Sequence, residues 1–176
     1  TVGSDGPFTG AATCMGYALF FKENTLHKLY GSKPADFQLS SLRCRGVARN
    51  AGRSLCVLNE TLYYLSADGV MAWDGSIPTK VSTALDAGKL SNVTRAVGGA
   101  LDGRYYLHLE RADGARLLVY DTERGLWQEE DVCSYEMAST GGQLYLWDTQ
   151  ALWAADPSRE RDWQDPAGTE TSLPFE

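Results

Sequence analysis

Long apolar runs, paired cysteines, histidines and basic charge are all scarce in this chain, and each scarcity removes a class of function. No stretch approaches the ~18–20 uninterrupted apolar residues of a membrane-spanning helix; the longest, Gly16 to Phe21, stops at Lys22. The opening residues Thr1 to Asp5 have neither the basic start nor the apolar stretch of a signal peptide. Lys and Arg number 16 against 23 Asp and Glu, a net charge of −7 over 176 residues. That balance argues against general binding to nucleic acid or to an anionic membrane. Hydrophobic residues at 43% and charged residues at 22% exclude a mainly disordered chain.

The four cysteines, Cys14, Cys44, Cys56 and Cys133, include no two at the spacing of a structural zinc site. Leu55-Cys56-Val57-Leu58 is the surrounding of a small buried hydrophobe. Core thiols in a reduced, intracellular compartment are the first expectation, with disulfides and then a metal behind it. The two histidines, His27 and His108, lie in alternating runs that read as strands. No Gly-x-Ser-x-Gly, phosphate-cradling glycine loop, His-Glu-x-x-His or EF-hand pattern occurs. No catalytic residue, cofactor or metal is therefore expected, and the chain reads as a non-enzyme.

What the chain does have is a repeat. Phe20 falls on Tyr64 and Leu26 on Val70, a step of 44 residues, and Gly31-Ser32-Lys33-Pro34 then falls on Gly75-Ser76-Ile77-Pro78. A third copy reads from Tyr105-Tyr106-Leu107, placed 42 residues after Tyr63-Tyr64-Leu65, with a three-residue lengthening before Ala112-Asp113-Gly114. A weaker fourth reads Leu144-Tyr145-Leu146-Trp147 and then Ala151-Leu152-Trp153. Each copy has a small or apolar run, an aromatic strand, an Asp-Gly-like turn that suits positive φ, a strand ending in Tyr or Trp, and a short last strand. Four strands at about 40–45 residues is the spacing of β-propeller blades. The expectation is an all-β chain with repeats at 10–53, 54–94, 95–133 and 134–176. Helix is expected to be low, with Val81 to Ala87 the one short candidate. Thr1 in place of Met, and Thr171 to Glu176 reading as a further element, make part of a larger ring the expectation.

Arg43, Arg45, Arg49 and Arg53 form the one basic concentration in an acidic chain. A solvated connection paired with acidic neighbours is the first reading; a partner-facing patch is the sharper one. Arg43 and Arg45, at alternate positions, would share a strand face. Asp68 and Asp113 belong to turns, and Glu129-Glu130-Asp131 reads as charge that blunts an edge strand. Asp162, Asp165 and Glu170 lack the fixed loop pattern of a calcium site.

Gly16 to Pro34, Ser54 to Ser82 and Val119 to Trp127 together resemble the propeller-bearing structural proteins of tailed bacteriophages and prophages, most distinctively in the Tyr-Gly-Ser-x-Pro element at Tyr30 to Pro34. The resemblance covers roughly Thr13 to Asp156. It implies a virion component of the tail or head-to-tail connection, assembled in the bacterial cytoplasm and held in many copies by contacts with other virion proteins. Members tend to be longer, and the family has no catalytic motif to transfer. A ligand- or host-glycan-reading propeller is the alternative; membrane and nucleic acid are not expected partners.

Overall fold

The computed structural model describes residues 6–130, 136–147 and 152–155. The chain is all-β, with four antiparallel sheets laid down in chain order. The first contains β1 (Gly10–Cys14), β2 (Tyr17–Lys22), β3 (Thr25–Tyr30) and β4 (Gln38–Arg43). The second contains β5 (Cys56–Leu58), β6 (Thr61–Ser66), β7 (Gly69–Trp73) and β8 (Thr79–Lys80). The third contains β9 (Val93–Leu101), β10 (Arg104–Arg111), β11 (Arg116–Asp121) and β12 (Leu126–Glu130). The fourth contains β13 (Glu136–Thr140), β14 (Gln143–Trp147) and β15 (Leu152–Ala154), three strands among the described residues. Each sheet pairs its strands in sequence order.

One local device recurs. The turn between the first two strands of every sheet puts two consecutive residues at positive φ: Met15-Gly16, Asn59-Glu60, Asp102-Gly103 and Gly141-Gly142. Two such residues match the right-handed twist of the flanking strands. These turns also set the internal register. Cys14, Leu58 and Leu101 are equivalent, so the third sheet follows the second by 43 residues, not the 42 expected from Tyr63 and Tyr105. Tyr105 thus takes the place of Leu62, and its ring faces back toward the second sheet. The β6–β7 turn has two residues between Ser66 and Gly69, whereas β10 and β11 are joined by six between Leu109 and Arg116, a longer insertion than expected.

The sheets pack face to face in chain order. One core gathers Phe21 of the first sheet, Tyr64 and Trp73 of the second, and Tyr105 and Leu107 of the third. A second core joins Val97, Leu117 and Val119 of the third sheet to Met137, Leu144 and Leu146 of the fourth. Small residues on the first strands allow the close approach: a Cβ on Gly98 would strike the Ser54 carbonyl oxygen, and one on Gly99 would lie 2.6 Å from Leu144 Cδ1. Each face of the second sheet has its own aromatic seal, with Phe21 and Tyr64 ring centres 5.0 Å apart and Tyr63 stacked on Tyr105 at 5.4 Å. Tyr64 and Tyr105 also donate hydroxyl hydrogen bonds to the carbonyls of Arg45 and Ser54, at 2.7 and 2.8 Å.

Two further expectations change. Val81 to Ala87 is not a helix; a 3-10 turn forms later, at Ala87–Leu90, where the Asp86 carboxylate accepts from Gly88 N–H at 2.9 Å. β4 ends at Arg43, so Arg45 shares no strand face with it. His27 and His108 do lie on strands, β3 and β10. Cys133, Asp131, Asp162, Asp165, Glu170 and Thr171 to Glu176 fall outside the described residues.

Candidate docking surface

Opposite residues in an antiparallel ladder share a face, so the register of the first sheet sorts its side chains. Leu19, Phe21 and Leu26 face the second sheet. Ala11, Phe20, His27 and Leu39 face the other way, where no described sheet covers them. Phe8, just ahead of β1, leans over this open face with its ring edge-on to Phe20 (6.2 Å) and His27 (6.0 Å). Lys22 Nζ lies 5.1 Å from the centre of the Phe8 ring, an attractive cation–π geometry. The result is an open apolar groove of about 650 Å³ walled by Phe8, Phe20, His27 and Leu39. Phe8 is 55% exposed and Leu39 46%. A groove of this shape and chemistry suits apolar side chains of a protein partner.

His27 is the polar element of that groove. Its Nδ1 lies 2.7 Å from Ser41 Oγ, directly across the β3–β4 ladder. Burial, with Lys22 adding positive charge, holds the imidazole below its ordinary value, so the ring is neutral at pH 7. The pair sits mid-ladder, not in the strained turn that presents a nucleophilic serine.

The arginine run is a set of ties between sheets. Arg45 Nε contacts Asp68 in the β6–β7 turn at 2.5 Å, and its Nη1 donates to Asn24 in the β2–β3 turn at 2.7 Å. Arg49 reaches Glu23 at 3.2 Å, and Arg53 reaches Glu136 of the fourth sheet at 2.5 Å. Arg95 shares Glu136 and also meets Glu110 at 2.8 Å. Three of the four sequence-selected arginines thus face carboxylates, and Arg43 is exposed at the end of β4. The connection that carries them is itself packed: Ala48 N–H donates to Leu65 O at 3.0 Å and Gly98 N–H to Arg53 O at 2.9 Å. Solvated ion pairs of this kind contribute ~0–1 kcal/mol each.

A smaller groove of about 270 Å³ lies between the first two sheets, beside Lys28, Tyr30, Trp73 and Ile77. Its aromatic faces already hold a cation: Lys28 Nζ is 4.5 Å from the Tyr17 ring centre, 4.8 Å from Tyr30 and 5.8 Å from Trp73. Trp73 is 1% exposed and its indole N–H donates to Ser76 O at 2.8 Å, so it offers no free face for stacking.

The three described thiols line neither groove. Cys14, Cys44 and Cys56 are free, and burial pushes the Cys56 thiol up to about 11, far from a reactive thiolate at neutral pH. Asp68 and Asp113 occupy turns, each paired with an arginine. Glu129 sits on the edge strand β12 between Lys89 and Arg116, at 2.6 Å from each.

Sequence reasoning singled out the arginines and missed Phe8 and Leu39. The available signal was a lone aromatic ahead of the first repeat, together with alternation that makes Phe20 and His27 neighbours. No protein-family model and no curated protein matches the chain.

Proposed function

We propose that the chain is a non-enzymatic docking platform, a run of β-propeller blades serving as a structural component of a tailed-phage or prophage virion, at the tail or head-to-tail connection. The propeller reading is supported by the first strands of successive sheets lying side by side, β5 by β9 and β9 by β13, as inner strands do around a propeller axis. The observation that carries the docking role is the open apolar face of the first sheet. It is built like the faces that seal the sheets to one another, yet Phe8 and Leu39 remain exposed. Docking would work by surface complementarity, with many copies adding avidity. The phage setting comes from the resemblance carried by Gly16 to Pro34 and its repeats.

Peptide mass spectrometry on density-purified particles induced from the source bacterium tests the setting. Peptides of this chain at a stable ratio to the major capsid protein are expected; productive particles without them would refute it. Trp147 and Trp153, 44% and 37% exposed, favour a host-glycan reader as the second reading. Loss of glycan-array binding on Trp147→Ala would support that alternative, and a blank array would remove it.

A further inference from the structure

Every junction between sheets joins two different kinds of face. On one side stands the face a sheet turns toward its successor: Phe21 in the first sheet, Tyr63 in the second, Val97 and Val119 in the third. On the other stands the face a sheet turns toward its predecessor: Tyr64, Tyr105, and then Leu144 with Leu146. Successor face meets predecessor face three times over, and like never meets like.

Two faces are left over, one of each kind. The open face of the first sheet, with Phe20, His27 and Leu39, is a predecessor face. The open face of the fourth sheet follows from its register: Trp147 opposes Leu152, and Tyr145 opposes both Ala138 and Ala154, all on the side away from Leu144 and Leu146. It is a successor face, largely apolar with Glu136 opposite Trp147 as its charged member, and no described sheet covers it; Leu152 is 66% exposed and Trp147 44%. Among the described residues the two do not meet: one core holds the first three sheets and another joins the third to the fourth, and neither contains residues of both end sheets.

The geometry points to a second copy of this chain as the occupant. The fourth sheet of one copy seats on the first sheet of the next, repeating the junction that the chain already makes internally. A contact between unlike faces is head-to-tail, and it closes when the accumulated rotation returns to the start. Two copies would bring together two sets of four sheets, the upper end of the usual range of about four to eight blades. This inference deepens the docking reading and rests on it in taking the open faces as interfaces. It does not rest on a phage origin.

The test is sedimentation of the whole chain across a concentration series, with Leu39→Glu and Leu152→Glu as variants. Both positions are exposed, so at concentrations low enough to keep the wild type monomeric each variant should unfold at the wild-type midpoint, which circular dichroism checks. The wild type is expected to dimerise, and each variant alone to associate at least about tenfold more weakly, because a charge is buried at a desolvated contact. An equimolar mixture of the two variants should recover dimer, since one retains an intact fourth-sheet face and the other an intact first-sheet face. A wild type that stays monomeric through the whole series overturns the proposal, as does a dimer that the mixture fails to recover. Neither result touches the virion experiment, which stands or falls separately.

Discussion

The second sheet and the first sheet share one strand grammar and differ in what surrounds them. In β6 five of six residues are buried, because Leu62 and Tyr64 pack on the first sheet while Tyr63 and Leu65 pack on the third. In β2, its counterpart in the first sheet, Leu19 and Phe21 are buried toward the second sheet, while Ala18 and Phe20, which face the other way, are only partly buried. A strand covered on both faces reads as a continuous apolar run, and one covered on a single face keeps its alternation. The same fold unit is therefore a core element in one place and a surface in the other. The difference is made by the neighbour, not by the strand.

The largest effect is expected from breaking the covered side. Trp73→Ala should cost about 3–5 kcal/mol, from lost burial and a residual cavity, whereas Phe8→Ala on the open face should cost under ~1 kcal/mol. Urea midpoints at low protein concentration give both values. Equal costs would mean that the first sheet is covered in solution and would end the comparison.

Next comes Gly98→Ala, which drives a methyl group into the Ser54 carbonyl between the second and third sheets. Overpacking against backbone should cost about 1–3 kcal/mol. Gly98 is not among the positive-φ glycines, so the cost is steric and urea midpoints of wild type and variant measure it directly.

Tyr105→Phe keeps the ring and leaves the buried Ser54 carbonyl without its donor, for about 1–2 kcal/mol. A cost below the measurement error would show that Tyr105 acts through packing alone.

In the opposite direction, Glu60→Gly relieves a non-glycine residue at φ 60 and should raise stability by ~0.5–1 kcal/mol. Thermal melts of the pair of proteins check the sign.

The gentlest lever is pH. Burial holds His108 below its ordinary value of about 6.5, with the Glu110 carboxylate pulling it up and Arg95 pushing it down. The unfolded chain therefore takes up the proton first, so stability is full above about pH 6.5 and falls as the pH drops below it. His108 Nδ1 is buried without a hydrogen-bond partner, so His108→Leu should flatten the dependence between pH 7 and pH 5. An unchanged slope would assign it to other groups.

The repeat was legible because turn and strand chemistry is local. Tyr64 on Phe20 and Pro78 on Pro34 give the first register correctly, and the positive-φ turns at Met15-Gly16 and Asn59-Glu60 agree with it. The third register was not legible, for a specific reason. Tyr63-Tyr64-Leu65 and Tyr105-Tyr106-Leu107 are apolar on both faces, so a one-residue slip leaves the pattern looking intact while turning every side chain over. The arginine run was visible as charge, but Glu136 lies 83 residues from Arg53, and nothing along the chain joins the two.

The sequence by itself therefore determined that this chain makes short antiparallel strands joined by turns of fixed type, since those depend on neighbours one to four residues away. Only the tertiary structure decided which face of each strand is covered. It made Tyr105 a seal, Arg53 a tie and Phe20 part of an exposed groove, because burial is set by whatever surface arrives from a distant part of the chain.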